Sequence, residues 1–493
     1  MNNESVEAVT SGRPQYLALS TEEMKRLGYA AVDMLVEHFN TVEQKPVIGD
    51  QNWRPTSGLL AQPFSEEGKS ADDVLARVRE EVFEHCIHIN HPRFFGYVPG
   101  SSNFISVIAD QLASGFNIFS GTNQGNLGPI TVERNTIQWL CEQFGMPDSA
   151  GGLFASGGSA ASLMALTAAR HELLADQTEK AVIYCTKETH TCIDRSLFML
   201  GFSAEQIVKL ESDENLRLPP EVLLAAIATD RKAGKIPFCV VGSGGTTSSG
   251  SVDPLDAIAD ICEREGLWFH VDAAFGGGAI LTERGRKIMK GIERAHSIAI
   301  DPHKWLFQPY ECACVLMRDP NCLRRAFSDV ADYERDGDAD KGEMNYREMG
   351  LQRTRSFKAL KLWMSLQIFG VDAFRQAVDH GLDLAQAAER HLRARDNWEI
   401  VTPATFGIVT FRYLSQGLSG EELDELNRAM TAAITESGYA LMSTTVLFGK
   451  KVQRLCLNRL DATEADVIET IERLESIAIQ LLGKRQDHKY AKN

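Results

Sequence analysis

Three features of this sequence predict an α/β fold built on a mostly parallel central sheet. From about residue 88, short apolar runs alternate with segments of helical periodicity, the pattern left by βαβ units. Polar clusters follow several of these runs, and open α/β sheets collect their ligands outside the carboxyl ends of strands. At 493 residues the chain also exceeds the size at which one core stops growing, so two or three domains are expected.

The elements follow in order. Residues 1–17 are polar and without periodicity, and read as a tail. Ser20 with Glu23 has the spacing of a capping box and opens a helix whose stripe is Met24, Leu27, Ala31, Met34, Leu35 and Phe39. An extended connector containing Pro46, Trp53, Arg54 and Pro55 leads to a second amphipathic helix near 71–86. This stretch, 1–87, has too little apolar mass for its own core and is expected to pack on the main body or on a second subunit. The large domain is expected over 88–379, with strands at 181–185, 238–241, 267–271, 297–300 and 312–317. Helices are expected between them at 159–173, 219–230, 254–265 and 281–290, and a long amphipathic helix near 356–379 leads out. Residues 380–493 read as a small α/β domain with strands at 407–413, 439–447 and 454–458, closed by a helix carrying Val467, Ile468, Ile471 and Leu474 inward.

Composition narrows the partners. A net charge of −16 argues against nucleic acid or an anionic membrane, because both repel an acidic surface. The N-terminus lacks the basic and apolar regions of a secretory signal, and no apolar run is long enough to span a bilayer. The ten cysteines are scattered without a Cys-x-x-Cys pair, so no zinc ribbon is indicated and no metal is expected. Free thiols of this kind point to a reducing compartment, and the expected location is the cytoplasm.

The chemistry concentrates between Leu267 and Phe307. One run ends on Asp272, followed by small residues and three glycines; the next ends on Asp301, His303 and Lys304. An aspartate and a lysine converging at strand ends could serve a pyridine cofactor, the carboxylate on the ring nitrogen and the lysine as a Schiff base. A structural ion pair predicts the same two residues. Ser156-Gly157-Gly158-Ser159 opens an alanine-rich helix, and exposed amides with the helix dipole suit a phosphate, although Gly-Gly-Ser before a helix is often only a turn. His190 follows the run at 181–185 and could stack on a planar ring or simply hydrogen-bond. Thr246 lies in a glycine- and hydroxyl-rich loop, which could touch a cofactor or be a plain turn. Tyr333 lies in the most polar segment of the central part, which reads as a surface loop by composition and equally as a mobile lid. Arg353 and Arg355 precede the long helix, and either could clamp a carboxylate. Phosphate site, stacking group, carboxylate and lysine together are the parts of a pyridoxal-phosphate enzyme.

His270-Val-Asp272-Ala-Ala274-Phe-Gly-Gly and Asp301-Pro-His303-Lys304-Trp-Leu resemble the group II pyridoxal-phosphate-dependent amino acid decarboxylases, as do His91-Pro-Arg-Phe-Phe-Gly-Tyr-Val-Pro, Gly245-Thr-Thr and Arg355-Ser-Phe-Lys-Ala-Leu-Lys-Leu-Trp. The resemblance runs from roughly 20 to 475. It implies the fold type I architecture of aspartate aminotransferase and a homodimer with active sites at the subunit interface. It implies Lys304 as the Schiff-base lysine, Asp272 as partner of the pyridine nitrogen, Ala274 against the ring and His190 stacked on it. Gly158, Ser159 and His303 are implied at the phosphate, Thr246 beside the cofactor, Arg355 at the substrate carboxylate, and Tyr333 near the loop tyrosine that protonates the intermediate. Many relatives carry asparagine where Asp301 stands, so this cofactor-side residue brings an added anion near the phosphate.

The reaction the resemblance implies is decarboxylation of an L-amino acid to the amine and carbon dioxide. Phe95-Gly96-Tyr97-Val98-Pro99 resembles the aromatic-amino-acid branch, with Phe95 and Tyr97 expected at the substrate. Glutamate or another acidic substrate, an aldehyde synthase, and a non-catalytic cofactor-binding scaffold are the alternatives.

Overall fold

Runs of four to eight largely apolar residues form a seven-stranded sheet from β1 (Gly151–Ala155), β2 (Ala181–Thr186), β3 (Ile207–Leu210), β4 (Ile236–Ser243), β5 (Trp268–Asp272), β6 (Ser297–Ile300) and β7 (Ala313–Met317). The computed structural model describes residues 16–50, 53–54, 58, 60–328 and 345–490, with side chains to 485. The strand order is β1-β7-β6-β5-β4-β2-β3. Pairs from β3 through β6 are parallel, while β7 runs antiparallel to both β6 and β1.

Successive residues along these strands serve opposite faces, which explains their near-continuous apolar character. Val240, Phe269, Val271, Ile298, Ile300 and Leu316 pack into one core with the helices Leu127–Gln143 and Leu255–Glu265. Cys239, Val241, Trp268, Ala299 and Val315 pack into another with the helix Gly158–Leu174. By the same alternation, Asp272 at the end of β5 stands on the face covered by that helix.

Five expected strands form within one or two residues of their expected limits. The expected helix at 281–290 is shorter: Gly276–Leu281 is a 3-10 turn, and the helix Glu283–Ile288 starts only where the Thr282 hydroxyl accepts the Gly285 N–H at 2.9 Å.

A second sheet, β8 (Trp398–Thr402), β9 (Ile408–Tyr413), β10 (Ser443–Leu447) and β11 (Lys450–Cys456), is antiparallel in the order β10-β11-β9-β8. Phe411, Leu455, Met430 and Ile471 join this sheet to the helices Gly420–Glu436 and Glu464–Tyr490 in one core. The helix Ala359–Arg393 changes direction at Gly370, whose φ of 76° lies in the left-handed region that favours glycine.

Contacts divide the chain into two units, Met1–Lys45 with Gly49–Cys86, and Pro46–Ile48 with Ile87–Asn493; both sheets belong to the second. In the first, the Ser20 hydroxyl accepts the Glu23 N–H at 3.1 Å and caps the helix Thr21–Thr41. Ion pairs Arg26–Asp72 and Arg79–Glu37, each 2.5 Å, join it to the helix Ala71–Glu81. That second helix ends before the expected 86, in a 3-10 turn Phe83–His85. Among the described residues no helix is long and apolar enough to cross a membrane, and no group of side chains is arranged to hold a metal.

Candidate active site

The carboxyl ends of β2, β4, β5 and β6, with the start of the helix Gly158–Leu174, enclose a cavity of about 230 Å³. It brings together Gly158, Ser159, His190, Thr246, Asp272, Ala274, Asp301, His303 and Lys304. These residues span much of the sequence and meet because parallel strands deliver their loops to one edge.

Lys304 sits on the loop from β6 back to β7. Its Nζ lies 2.9 Å from Asp301 Oδ2, and its side chain is 18% exposed. Burial alone would push the amine's pKa down, but the nearby charges of Asp301 and Asp272 outweigh it and hold it above the usual lysine range. The loop is anchored by Trp305, fully buried and stacked on Phe275 with ring centroids 5.2 Å apart. Gly100 passes so close to the Lys304 carbonyl that a Cβ there would collide with it.

Asp272 Oδ1 accepts the Ala274 N–H at 3.1 Å, fixing the carboxylate at the end of β5. His190 Nδ1 accepts the Cys192 N–H at 3.2 Å, which leaves the ring proton on Nε2. His303 Nδ1 accepts the Cys312 N–H at 3.2 Å, and burial pushes this imidazole's pKa down. Its Nε2 stands 3.5 Å from Asp301 Oδ2. The Thr246 hydroxyl is buried and 2.8 Å from Ser249 Oγ.

At the helix start, a Cβ on Gly158 would lie 2.9 Å from Asp301 Oδ2 and 3.0 Å from the Ala274 Cβ, so glycine preserves the cavity. Its N-cap, Gly157, contributes no side-chain cap, leaving the first amides to an external acceptor. A partly buried amine, a fixed carboxylate and a glycine-opened helix start around one small cavity fit a planar pyridine aldehyde bearing a phosphate.

Three expected residues are elsewhere. Arg355 does not line this cavity; it is 4% exposed, and its guanidinium donates to Glu133 Oε1 at 2.5 Å, Ser120 O at 2.7 Å and Phe154 O at 2.9 Å. In the single chain Arg355 is thus held by Glu133 and two backbone carbonyls, outside the cavity of Lys304. Phe95 is fully buried in the core of the second sheet, and its N–H donates to Leu441 O at 2.8 Å. Tyr97 is exposed, with its carbonyl accepting from Arg454. Of this motif, Phe95 packs into the core of the smaller sheet and Val98 into that of the large one. Tyr333 lies outside the described residues.

Cys192, Ser243, Thr247 and Phe275 also line the cavity and escaped the sequence reading as site residues. Ser243 was findable, since it ends β4 in register with Asp272.

The pyridoxal-dependent decarboxylase conserved domain matches residues 55–414. An aromatic-L-amino-acid decarboxylase of Bacillus atrophaeus is 43% identical over 94% of this chain and 97% of its own length. A phenylacetaldehyde synthase of Arabidopsis thaliana is 28% identical over 94% of this chain and 98% of its own. The crystal structure of Oryza sativa TDC with PLP and tryptamine superposes with a TM-score of 0.89 at 27% identity, covering 94% of this chain and 99% of the other. The chain belongs to the pyridoxal-dependent decarboxylase family.

Proposed function

From membership of that family, we propose that this protein decarboxylates an aromatic L-amino acid to its amine, as a cytoplasmic homodimer. The observation that carries the reaction is the single cavity holding Lys304, Asp272 and the opened helix start at Gly158. When bound, pyridoxal 5'-phosphate supplies an aldehyde for covalent attachment and a protonated ring that accepts the electrons left as carbon dioxide departs.

The chain's residues do the rest. Lys304 provides the attaching amine, and Asp272 keeps a proton on the ring nitrogen. His190 and Ala274 line the cavity and would hold the ring between them. The amides at Gly158 and Ser159 bind the phosphate, with Thr246 and His303 beside the cofactor. His190 Nε2, or the hydroxyl of Tyr333, delivers the proton that Cα needs after carbon dioxide leaves.

The aromatic substrate rests on the Bacillus atrophaeus relative, which matches nearly the whole of both chains. The dimer is supported by the apolar residues Met24, Tyr29 and Val36 of the first unit, all exposed in a single chain. Purified protein given separate L-amino acids should release carbon dioxide and amine in equal amounts from an aromatic substrate. Turnover of glutamate alone would sink the substrate assignment, and bound cofactor with no turnover of any amino acid would sink the reaction.

A second reading is favoured by the Arabidopsis thaliana relative, a phenylacetaldehyde synthase matching over similar lengths. Aldehyde in place of amine as the main product would decide for it.

A further inference from the structure

Asp301 stands in the cavity without a role in the scheme above. Its carboxylate is 4% exposed, with Oδ2 2.9 Å from Lys304 Nζ. Oδ1 is buried and makes no hydrogen bond. The carboxylate packs against the first residue of the helix Gly158–Leu174, because a Cβ on Gly158 would lie 2.9 and 3.0 Å from its two oxygens. It is thus an anion between the attaching lysine and the end of the cavity suited to phosphate.

We propose that Asp301 is a positioning residue that holds Lys304 as its ammonium partner and thereby sets the pH at which the lysine captures an aldehyde cofactor. The inference rests on the reading of Lys304 as the attaching amine.

The chemistry requires a proton to move. Only the neutral amine adds to an aldehyde; forming the C=N bond releases one water, and the ammonium must first lose a proton. Asp301 Oδ2, at 2.9 Å, is the oxygen in hydrogen-bond reach to receive it. While the carboxylate is ionised, it stabilises the unreactive ammonium.

The other ionisable groups around Nζ do not replace it. Asp272, at the end of β5, also favours the ammonium, but its effect ranks below that of Asp301. Cys192 from the helix Cys192–Met199 has its thiol pushed up to about 12, chiefly by burial, and stays protonated. Cys456 from β11 is likewise raised by burial, and Tyr310 lies above the usual tyrosine range for the same reason. His303, pushed down by burial, carries no charge at neutral pH. His190 completes the ionisable lining.

The test follows cofactor capture rather than turnover. Cofactor-free full-length protein is mixed with pyridoxal 5'-phosphate across a pH series, and the rate of appearance of visible absorbance is recorded. Asp301→Asn should move the midpoint of the rate–pH profile down by about one unit or more, which makes capture about tenfold faster at neutral pH. Pyridoxal, which lacks the phosphate, should show the same displacement; a gain confined to the phosphorylated form, or equal at every pH, would mean that Asp301 acts only on the phosphate and would overturn the proposal. Asp301→Ser, checked for native circular dichroism, should move the midpoint in the same direction. An unmoved midpoint in the folded variants refutes the pairing even if Lys304→Ala is colourless and the attachment reading stands. No colour in the unaltered protein refutes both.

Discussion

Two buried cation–carboxylate pairs lie in the large-sheet region, and they differ in how completely they are satisfied. Arg355 and Glu133 form a closed set. The arginine donates to both Glu133 oxygens and to the carbonyls of Ser120 and Phe154, and Glu133 in turn accepts from the Ser120 hydroxyl and the Phe154 N–H. Lys304 and Asp301 form an open set, with a contact of 2.9 Å, His303 Nε2 farther off at 3.5 Å from the same oxygen, a second carboxylate oxygen without a partner and a cavity beside them. A saturated buried pair has nothing left to offer a ligand and holds strands and helices in register. An unsaturated one retains donors and acceptors for chemistry. This difference separates an arginine with its donors engaged from a lysine that keeps capacity for a ligand, where residue type alone does not.

Removing each cation should break the comparison in opposite ways. Lys304→Ala should cut decarboxylation by at least about a thousandfold while leaving unfolding little changed, because the pair it breaks is incomplete and borders a cavity. Steady-state amine release and denaturant unfolding measure the two halves; a large loss of stability would show that the open pair is structural after all. Arg355→Ala should instead destabilise the fold by about 3–5 kcal/mol, since it leaves Glu133 buried with an uncompensated charge. Replacing both partners, Arg355→Met with Glu133→Leu, should recover much of that loss, and failure to recover would mean that the backbone carbonyls were the arginine's main partners.

A buried carboxylate with no cation in contact sharpens the contrast at smaller scale. Asp253 accepts the N–H groups of Ser243 and Leu218, each at 2.7 Å, yet burial pushes it up to about 6. Between the ordinary carboxylate value and about 6, the folded chain holds a proton that the unfolded chain has lost. Stability should therefore fall as pH rises through that window, by an amount on the order of 1 kcal/mol. Asp253→Asn should flatten this part of the stability–pH curve, and an unchanged slope would remove Asp253 as its source.

Much of this was legible in the sequence, and the gaps have physical causes. The strands at 181–185, 238–241, 267–271 and 297–300 are apolar on both faces, which is how parallel strands under helices must read, and the antiparallel strand at 312–317 is buried on both faces as well. β1 escaped because Gly151 and Gly152 weaken its strand propensity, and β3 because Ile207–Leu210 is short, with its two central residues only half-buried. Asp272, Lys304, His190 and the Gly158–Ser159 turn were findable because strand ends carry the polar exceptions to an apolar rule. For Arg355 a buried arginine and a ligand-facing one look alike in sequence until the partners are known, and Glu133 lies far away in the sequence. For Phe95 a motif that keeps its spacing for packing looks the same as one that keeps it for a substrate.

The antiparallel seat of β7 bears on how the chain assembles. β6 and β7 are adjacent in sequence, joined by the loop 301–312, so the lysine is carried between strands whose pairing costs less chain entropy than that of β1 with β7. β1 comes earlier in the chain, but its partner in the sheet is β7, the last strand of that sheet in sequence. The strand that leads into the glycine turn at Gly158 gains its sheet partner only when that late strand docks. A growing or truncated chain ending before Ala313 therefore leaves β1 unpaired, with a sheet edge open to other chains. The two halves of the cavity differ in the range of their contacts: the lysine loop lies between strands adjacent in sequence, and the helix start follows β1, whose partner lies far along the chain.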